Sequence, residues 1–193
     1  MFESAGKLIV AGIIGLAGAL YIPLTSAWAA DSQPSPIALP GSVKAAKSPS
    51  GRYEVTIKRL ANQDGSPTYR LILHDLQQHL QQQILTFQRS VELTWRSGAE
   101  GFFLNEYTAS NFSDCLVAIP GKGMEFHSLL DRLSKQPELG VPETVDSAHF
   151  YVECRGWNGA NQVAVALFGH KDEDGKEFSY GLKYDAIGDI LQK

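Results

Sequence analysis

Residues 53–73 read YEVTIKRLANQDGSPTYRLIL, and this stretch decides the fold class. Apolar and polar side chains alternate in residues 53–58, and in residues 68–73 Tyr69, Leu71 and Leu73 alternate with Thr68, Arg70 and Ile72. A period of two places every second side chain on the same face of an extended chain, so each run predicts a half-buried strand. Residues 62–67, NQDGSP, are typical of a turn, and we therefore expect the two strands to form a hairpin.

The same period recurs along the chain and predicts about eight to ten strands in all. The further strands are expected at residues 84–87, 91–95, 102–107, 115–119, 149–155, 163–168 and 178–184. Only residues 124–135 differ, since Phe126, Leu129, Leu130 and Leu133 recur at helical spacing. The glutamine-rich residues 77–83 are expected to form a loop or a single helical turn. The predicted fold is mainly β, with antiparallel sheets arranged as a blade or a sandwich and one amphipathic helix.

The first 29 residues have the order of features of a secretory signal peptide. Lys7 is followed by an uncharged apolar run at Leu8–Ile22, and small residues lead up to Ala29. The apolar run of about 15 residues is shorter than the roughly 20 that span a bilayer. We expect cleavage between Ala29 and Ala30 and a mature protein in the periplasm or the medium. The alternative is an uncleaved N-terminal helix that anchors the chain to the inner membrane.

The remaining chain divides into a short linker and one domain. Residues 30–50 are rich in Pro, Ser, Gly and Ala, which predicts a flexible N-terminal segment with order beginning near Arg52. Residues 51–193 are expected to form a single β-rich domain. The net charge of −4 disfavours nucleic acid as a partner. We expect the partner to be a protein or a component of the cell envelope.

The chain contains two cysteines, Cys115 and Cys154. In an oxidising compartment such a pair is a disulfide candidate, and the bridge would close a loop of about 40 residues. Both cysteines lie in apolar segments, where a free thiol can instead pack as a small hydrophobic side chain. The sequence leaves these alternatives open.

Motifs for catalysis or metal binding are missing from the sequence. No two histidines have the spacing of a helical zinc site, and a Gly-x-Ser-x-Gly nucleophile motif does not occur. The acidic stretch at residues 170–177 lacks the ligand positions of a calcium loop and predicts an exposed turn. We therefore expect no metal, no cofactor and no enzymatic activity.

The polar run at residues 105–114 is the predicted binding surface. It mixes aromatic with hydrogen-bonding side chains, as recognition loops do. The candidate residues are Asn105, Tyr107, Asn111, Phe112 and Asp114. The alternative is that the polar side chains cap a long hairpin while the two aromatic rings pack beneath it.

Three turns resemble the Trp-Ser-Pro-Asp-Gly turn of bacterial WD-type propeller repeats, as in periplasmic propellers. They are Ser48-Pro49-Ser50-Gly51-Arg52-Tyr53, Trp95-Arg96-Ser97-Gly98 and Trp157-Asn158-Gly159. The first turn has Ser50 where Asp is usual, the second lacks the Pro and the Asp, and a small closed propeller needs about four blades. The order of turns, with Asn105-Glu106-Tyr107-Thr108-Ala109-Ser110 after the second, is also similar to a group of uncharacterised exported bacterial proteins. This resemblance implies a β fold and an exported location, with no activity attached.

Three functions are consistent with these features. The first is a non-catalytic binding or interaction protein of the bacterial periplasm. The second follows from Ser50-Gly51-Arg52-Tyr53, which resembles the Ser-Gly-x-Tyr motif of periplasmic lysozyme inhibitors. In those inhibitors the Ser and Tyr enter the lysozyme cleft, which implies that Ser50 and Tyr53 are exposed. The third is a hydrolase whose site is assembled from residues that are distant in sequence.

Overall fold

The computed structural model describes residues 34–60, 65–119, 124–141, 147–171 and 175–193. The predicted signal peptide, its cleavage site between Ala29 and Ala30, and parts of the predicted loops lie outside these residues. Across the described ranges, none of the helices is long and apolar enough to cross a membrane.

The described residues form strands β1–β13 and one short α-helix. The strands are β1 (Ile37–Leu39), β2 (Ala45–Lys47), β3 (Tyr53–Leu60), β4 (Thr68–Asp75), β5 (Leu80–Phe87), β6 (Ser90–Trp95), β7 (Phe102–Ala109), β8 (Phe112–Ile119), β9 (Glu125–Ser128), β10 (Ser147–Asn158), β11 (Gln162–Lys171), β12 (Glu177–Asp185) and β13 (Ile190–Gln192). The helix α1 spans Leu129–Ser134, and a 3₁₀ turn follows at Pro137–Leu139.

The strands form two open sheets. The smaller has the order β2-β3-β4-β5, and the larger has the order β1-β6-β7-β8-β10-β11-β12-β13, with β9 also paired to β8. All pairings are antiparallel except a short parallel contact between β8 and β10. The structure confirms the predicted fold class, which is mainly β with antiparallel sheets and a single α-helix. The predicted hairpin is the β3–β4 pair, in which Tyr53 is opposite Asp75 and Leu60 is opposite Thr68.

The two sheets pack face to face around one of two hydrophobic cores. Val55, Leu71 and Leu73 of the small sheet meet Leu93 and Leu104 of the large sheet, and all five side chains are buried. This arrangement is that of a β-sandwich. The second core lies on the other side of β8, where apolar side chains from β10, β11 and β12 pack against α1. Strands β7 and β8 thus contribute to both cores.

Strand β10 pairs with β11 along its length but separates from β8 soon after it begins. It pairs with β8 at Phe150 and Tyr151 only. Three residues after Tyr151, Cys154 is joined by a disulfide to Cys115 of β8, with a Cα–Cα distance of 5.8 Å. Of the two alternatives left open by the sequence, the structure therefore has the disulfide. This bond holds the second half of the chain against the first.

The helix expected around residues 124–135 is shorter in the structure. Its first turn is replaced by β9, which pairs with β8 because Phe126 packs into the core between the two sheets. Ser128 then caps α1 by accepting a hydrogen bond from the Asp131 amide at 3.1 Å. Leu129 and Leu133 face the second core. The apolar residues of this segment thus divide between two cores.

The described part of the segment expected to be flexible, residues 34–50, contains two short strands. Residues 37–39 pair with β6 and residues 45–47 pair with β3, and Leu39 and Ala46 are buried. The glutamine-rich residues 77–83 are likewise not a loop throughout. After a turn at residues 76–79, Gln81, Gln82 and Gln83 lie in β5, where they pair with β4 as an exposed edge. Strands at the edge of a sheet are often short or polar, because one side of an edge strand is not paired and stays in water.

We expect the disulfide to make a large contribution to the free energy of unfolding. The bridge spans a sequence separation of 39 residues, so its removal should cost about 4 kcal/mol through the larger entropy of the unfolded chain. The measurement is urea denaturation of the wild type and of the Cys115→Ala/Cys154→Ala double variant. Reduced wild type serves as the control and should lose a similar amount. A loss below about 1 kcal/mol in both would contradict this role.

Candidate functional site

Asn105, the first residue of the predicted binding surface, has a structural role. It is buried on β7, directly opposite Cys115 of β8. Its Nδ2 donates to the Cys154 carbonyl oxygen at 3.1 Å, and its Oδ1 accepts from the Cys154 amide at 2.8 Å. One amide side chain therefore satisfies both backbone groups of Cys154 where β10 has no strand partner on that side.

Asn111 and Phe112 support the start of β10. They follow the turn between β7 and β8, where Ala109 pairs with Phe112. The Asn111 carbonyl accepts from the Phe150 amide at 3.0 Å. The half-buried Phe112 ring lies 6.5 Å from the Phe150 ring, centroid to centroid. These contacts join the turn between β7 and β8 to the start of β10.

Asp114 caps the short helix from a neighbouring strand. The Leu130 amide donates to its Oδ1 at 3.1 Å, and the Ser128 hydroxyl donates to its Oδ2 at 2.7 Å. Burial raises the pKa of the Asp114 carboxyl to about 6, although both hydrogen bonds act in the opposite direction. Asp114 therefore links β8 to α1.

Tyr107 and Asn105 line a pocket, which lies between β6, β7 and the part of β10 that crosses β7. Its volume is about 350 Å³. The other lining residues are Glu92 and Thr94 of β6, Phe103 of β7, Glu153, Cys154 and Arg155 of β10, and the segment Pro34, Ser35 and Pro36 before β1. The pocket thus combines parts of the chain from its first described residues to β10.

The pocket has two carboxylates and one cation. The Tyr107 hydroxyl donates to Glu92 Oε2 at 3.0 Å, and Arg155 Nη2 lies 3.0 Å from Glu153 Oε2. Burial raises the pKa of Tyr107 well above its usual range, and the nearby charge of Glu153 adds to this effect. Tyr107 therefore remains a neutral donor. The Arg155 charge balances Glu153, which leaves the charge of Glu92 uncompensated by a described pocket residue.

The hydroxyl oxygen of Thr94 is a buried polar atom of this pocket that lacks a hydrogen-bond partner among the described atoms. The residue is 3% exposed. An unsatisfied buried hydroxyl costs about 1–3 kcal/mol, so native structures rarely contain one without a reason. Thr94 alternates with Leu93 and Trp95, which face the core between the sheets, and so it points toward the pocket side of β6.

Sequence reasoning missed Glu92, Thr94, Glu153 and Arg155. Each occupies a polar position in a strand with period-two alternation, as any solvent-facing residue would. They line a common pocket only because β10 crosses β7 at Cys154. No local signal in the sequence could have separated them from ordinary surface residues.

The resemblance to lysozyme inhibitors fails on the position of Tyr53. Its side chain is only 6% exposed and belongs to the core between the two sheets. The neighbouring residues close the turn: Arg52 pairs with Asp75 at 2.9 Å and with Glu100 at 3.2 Å. Tyr53 therefore cannot enter the cleft of another protein without unfolding of the core.

Comparisons with protein-family models, with curated proteins and with solved structures find no match for this chain.

The raised pKa of Asp114 predicts a specific pH dependence of stability. The folded state keeps the proton of Asp114 up to about pH 6, whereas the unfolded chain releases it near pH 3.8. Between these values the folded state binds more protons, so its stabilisation by Asp114 declines as the pH rises. Relative to Asp114→Asn, the wild type should lose about 2 kcal/mol of unfolding free energy from pH 4 to pH 6. Denaturant titrations at several pH values measure this difference, and a constant difference would contradict the prediction.

Replacement of Thr94 by Val should stabilise the protein in the absence of ligand. The variant removes an unsatisfied buried hydroxyl and keeps the branched shape, so we expect a gain of about 1 kcal/mol in urea denaturation. Thr56→Val is the matched control in a neighbouring sheet. Thr56 Oγ1 lies 2.8 Å from His74 Nε2, and loss of this hydrogen bond should destabilise. Equal losses in both variants would show that the Thr94 hydroxyl is satisfied.

Proposed function

We propose that this chain is an exported, non-catalytic binding protein whose ligand is a small polar molecule with a cationic group. The ligand occupies the pocket formed by β6, β7 and β10. The observation that carries the proposal is the buried Thr94 hydroxyl, which has no described partner and lies in a pocket with an uncompensated carboxylate. A ligand that donates hydrogen bonds would satisfy both groups.

The charges in the pocket favour an ammonium or guanidinium group over a neutral or anionic one. Glu92 receives only the neutral Tyr107 hydroxyl, whereas Glu153 is already paired with Arg155. A positive group near Glu92 would form a charge-assisted hydrogen bond, which is roughly twice as strong as a neutral one. Phe103 contributes an apolar wall for the carbon skeleton of the ligand.

The proposed location follows from the N-terminal sequence and is supported by the disulfide. Disulfides persist in oxidising compartments such as the bacterial periplasm and are rare in the cytosol. The bond between Cys115 and Cys154 is consistent with a mature chain that works in the periplasm or outside the cell. The propeller-type ancestry of the turns remains a proposal that rests on their sequence alone.

A probe series tests the charge and the place of binding. We expect n-butylammonium to shift the amide NMR signals of the pocket strands, while n-butanol and butyrate at equal concentration do not. Glu92→Gln should weaken binding about tenfold, since hydrogen bonds to charged groups contribute about 1.5–3 kcal/mol. Glu138→Gln, an exposed carboxylate on the 3₁₀ turn, is the matched control and should leave the affinity unchanged. Equal responses to all three probes, or no response to any, would contradict the proposal.

Hydrolysis is a second candidate function, favoured by one observation. The pocket contains two carboxylates, Glu92 and Glu153, and glycosidases use such a pair. Both carboxylates, however, already accept a bond from a neighbour, which suits recognition better than proton transfer. A binding pocket returns its ligand unchanged, whereas a hydrolase would release a product that depends on both glutamates.

A further inference from the structure

We propose that a second site, on the outer face of β10, β11 and β12, binds a divalent transition-metal ion through His149 and His170. Of the divalent first-row ions, Cu²⁺ should bind most tightly, because affinities for nitrogen ligands peak at copper. This site is separate from the pocket, so its test does not depend on whether the proposed ligand binds there.

The backbone places the two histidines side by side. His149 and His170 are directly opposite each other in the β10–β11 ladder, next to a bulge between Ser147 and His149. Gly169 lets the β11 backbone come close to the His149 carbonyl oxygen, since a Cβ atom at that position would overlap this oxygen. The two imidazole rings lie 4.1 Å apart, centroid to centroid, with their planes tilted by 29°.

The hydrogen bonds of Tyr151 fix which nitrogen of His149 carries the proton. The Tyr151 hydroxyl donates its one hydrogen to the Ser110 carbonyl oxygen at 2.8 Å. It also lies 2.9 Å from His149 Nδ1. Because its hydrogen is already used, the hydroxyl must accept in this second bond, and Nδ1–H donates. The neutral His149 ring therefore has its lone pair on Nε2.

This is the state of histidine that a metal ion requires. A metal binds the neutral imidazole through its lone pair, and ligating histidines usually donate their other N–H to an oxygen acceptor. Tyr151 supplies that acceptor before any metal arrives. With His149 held in place by Tyr151, rotation of the His170 ring about its side-chain bonds would direct one of its nitrogens to an ion bound at His149 Nε2.

A carboxylate lies next to the pair on the third strand. Glu177 is directly opposite His170 in the β11–β12 ladder, so its exposed side chain projects from the same face. In the described part of the chain, no three metal-binding side chains are already gathered around one point. The site therefore has two neighbouring nitrogen ligands, and Glu177 or water would complete the coordination when an ion binds.

The test is isothermal titration calorimetry with CuCl₂ at pH 7.5 in a weakly coordinating buffer. We expect His149→Ala and His170→Ala each to weaken the tightest binding event at least about tenfold, since each removes one of two nitrogen ligands. His79→Ala is the matched control, because His79 is exposed on the β4–β5 turn and should not contribute. Circular dichroism verifies that each variant is folded. Binding that survives the loss of His149 or His170 would overturn the proposal.

A second variant separates metal binding from a merely structural role of the pair. Tyr151→Phe removes the acceptor for His149 Nδ1–H but keeps the ring. We expect weaker Cu²⁺ binding, by about tenfold, as for other partners that orient a metal ligand. The imidazole ¹⁵N chemical shifts of His149 should at the same time show a mixture of tautomers. Unchanged shifts together with unchanged affinity would contradict the assigned hydrogen bonds and the site.

Discussion

The attachment of Cys154 to β7 and β8 is the constraint on which the rest of the structure depends. A disulfide joins its side chain to Cys115, and the Asn105 side chain bonds both its backbone N–H and its carbonyl. Covalent and hydrogen bonds thus fix one residue of β10 just beyond the point where this strand separates from β8. The crossing of β10 creates the pocket, and it also holds β11 and β12 against the helix.

One face of β10 connects the two proposed sites. His149, Tyr151, Glu153 and Arg155 alternate along this strand and so project from the same side. The Tyr151 ring stacks on Phe168 of β11, with 5.0 Å between centroids, and the Arg155 guanidinium lies 5.5 Å from the centre of the same Phe168 ring. The Phe168 ring thus contacts one residue next to each proposed site.

The contrast between Asn105 and Thr94 shows how polar groups are used at this crossing. Asn105 is buried and makes two short hydrogen bonds to the backbone, so it stabilises the fold. Thr94 on β6 is also buried, and its hydroxyl has no partner among the described atoms. The sequence predicts a binding role for Asn105 and none for Thr94, because burial and hydrogen bonding depend on contacts between strands that are distant in sequence.

The sequence by itself determined the β class, the β3–β4 hairpin and most of the strands, because period-two alternation and turn residues are local properties. Even Tyr53, Val55 and Leu73 face the core as their alternation predicts. Tertiary structure decided the rest. Phe126 lies in a strand and not in the helix because it packs into the core between the two sheets, and residues 37–39 form a strand because they pair with the edge of β6. The pocket and the histidine pair also depend on tertiary structure, since the crossing of β10 over β7 places Glu92 and Glu153 in one pocket and the pairing of β10 with β11 places His149 beside His170.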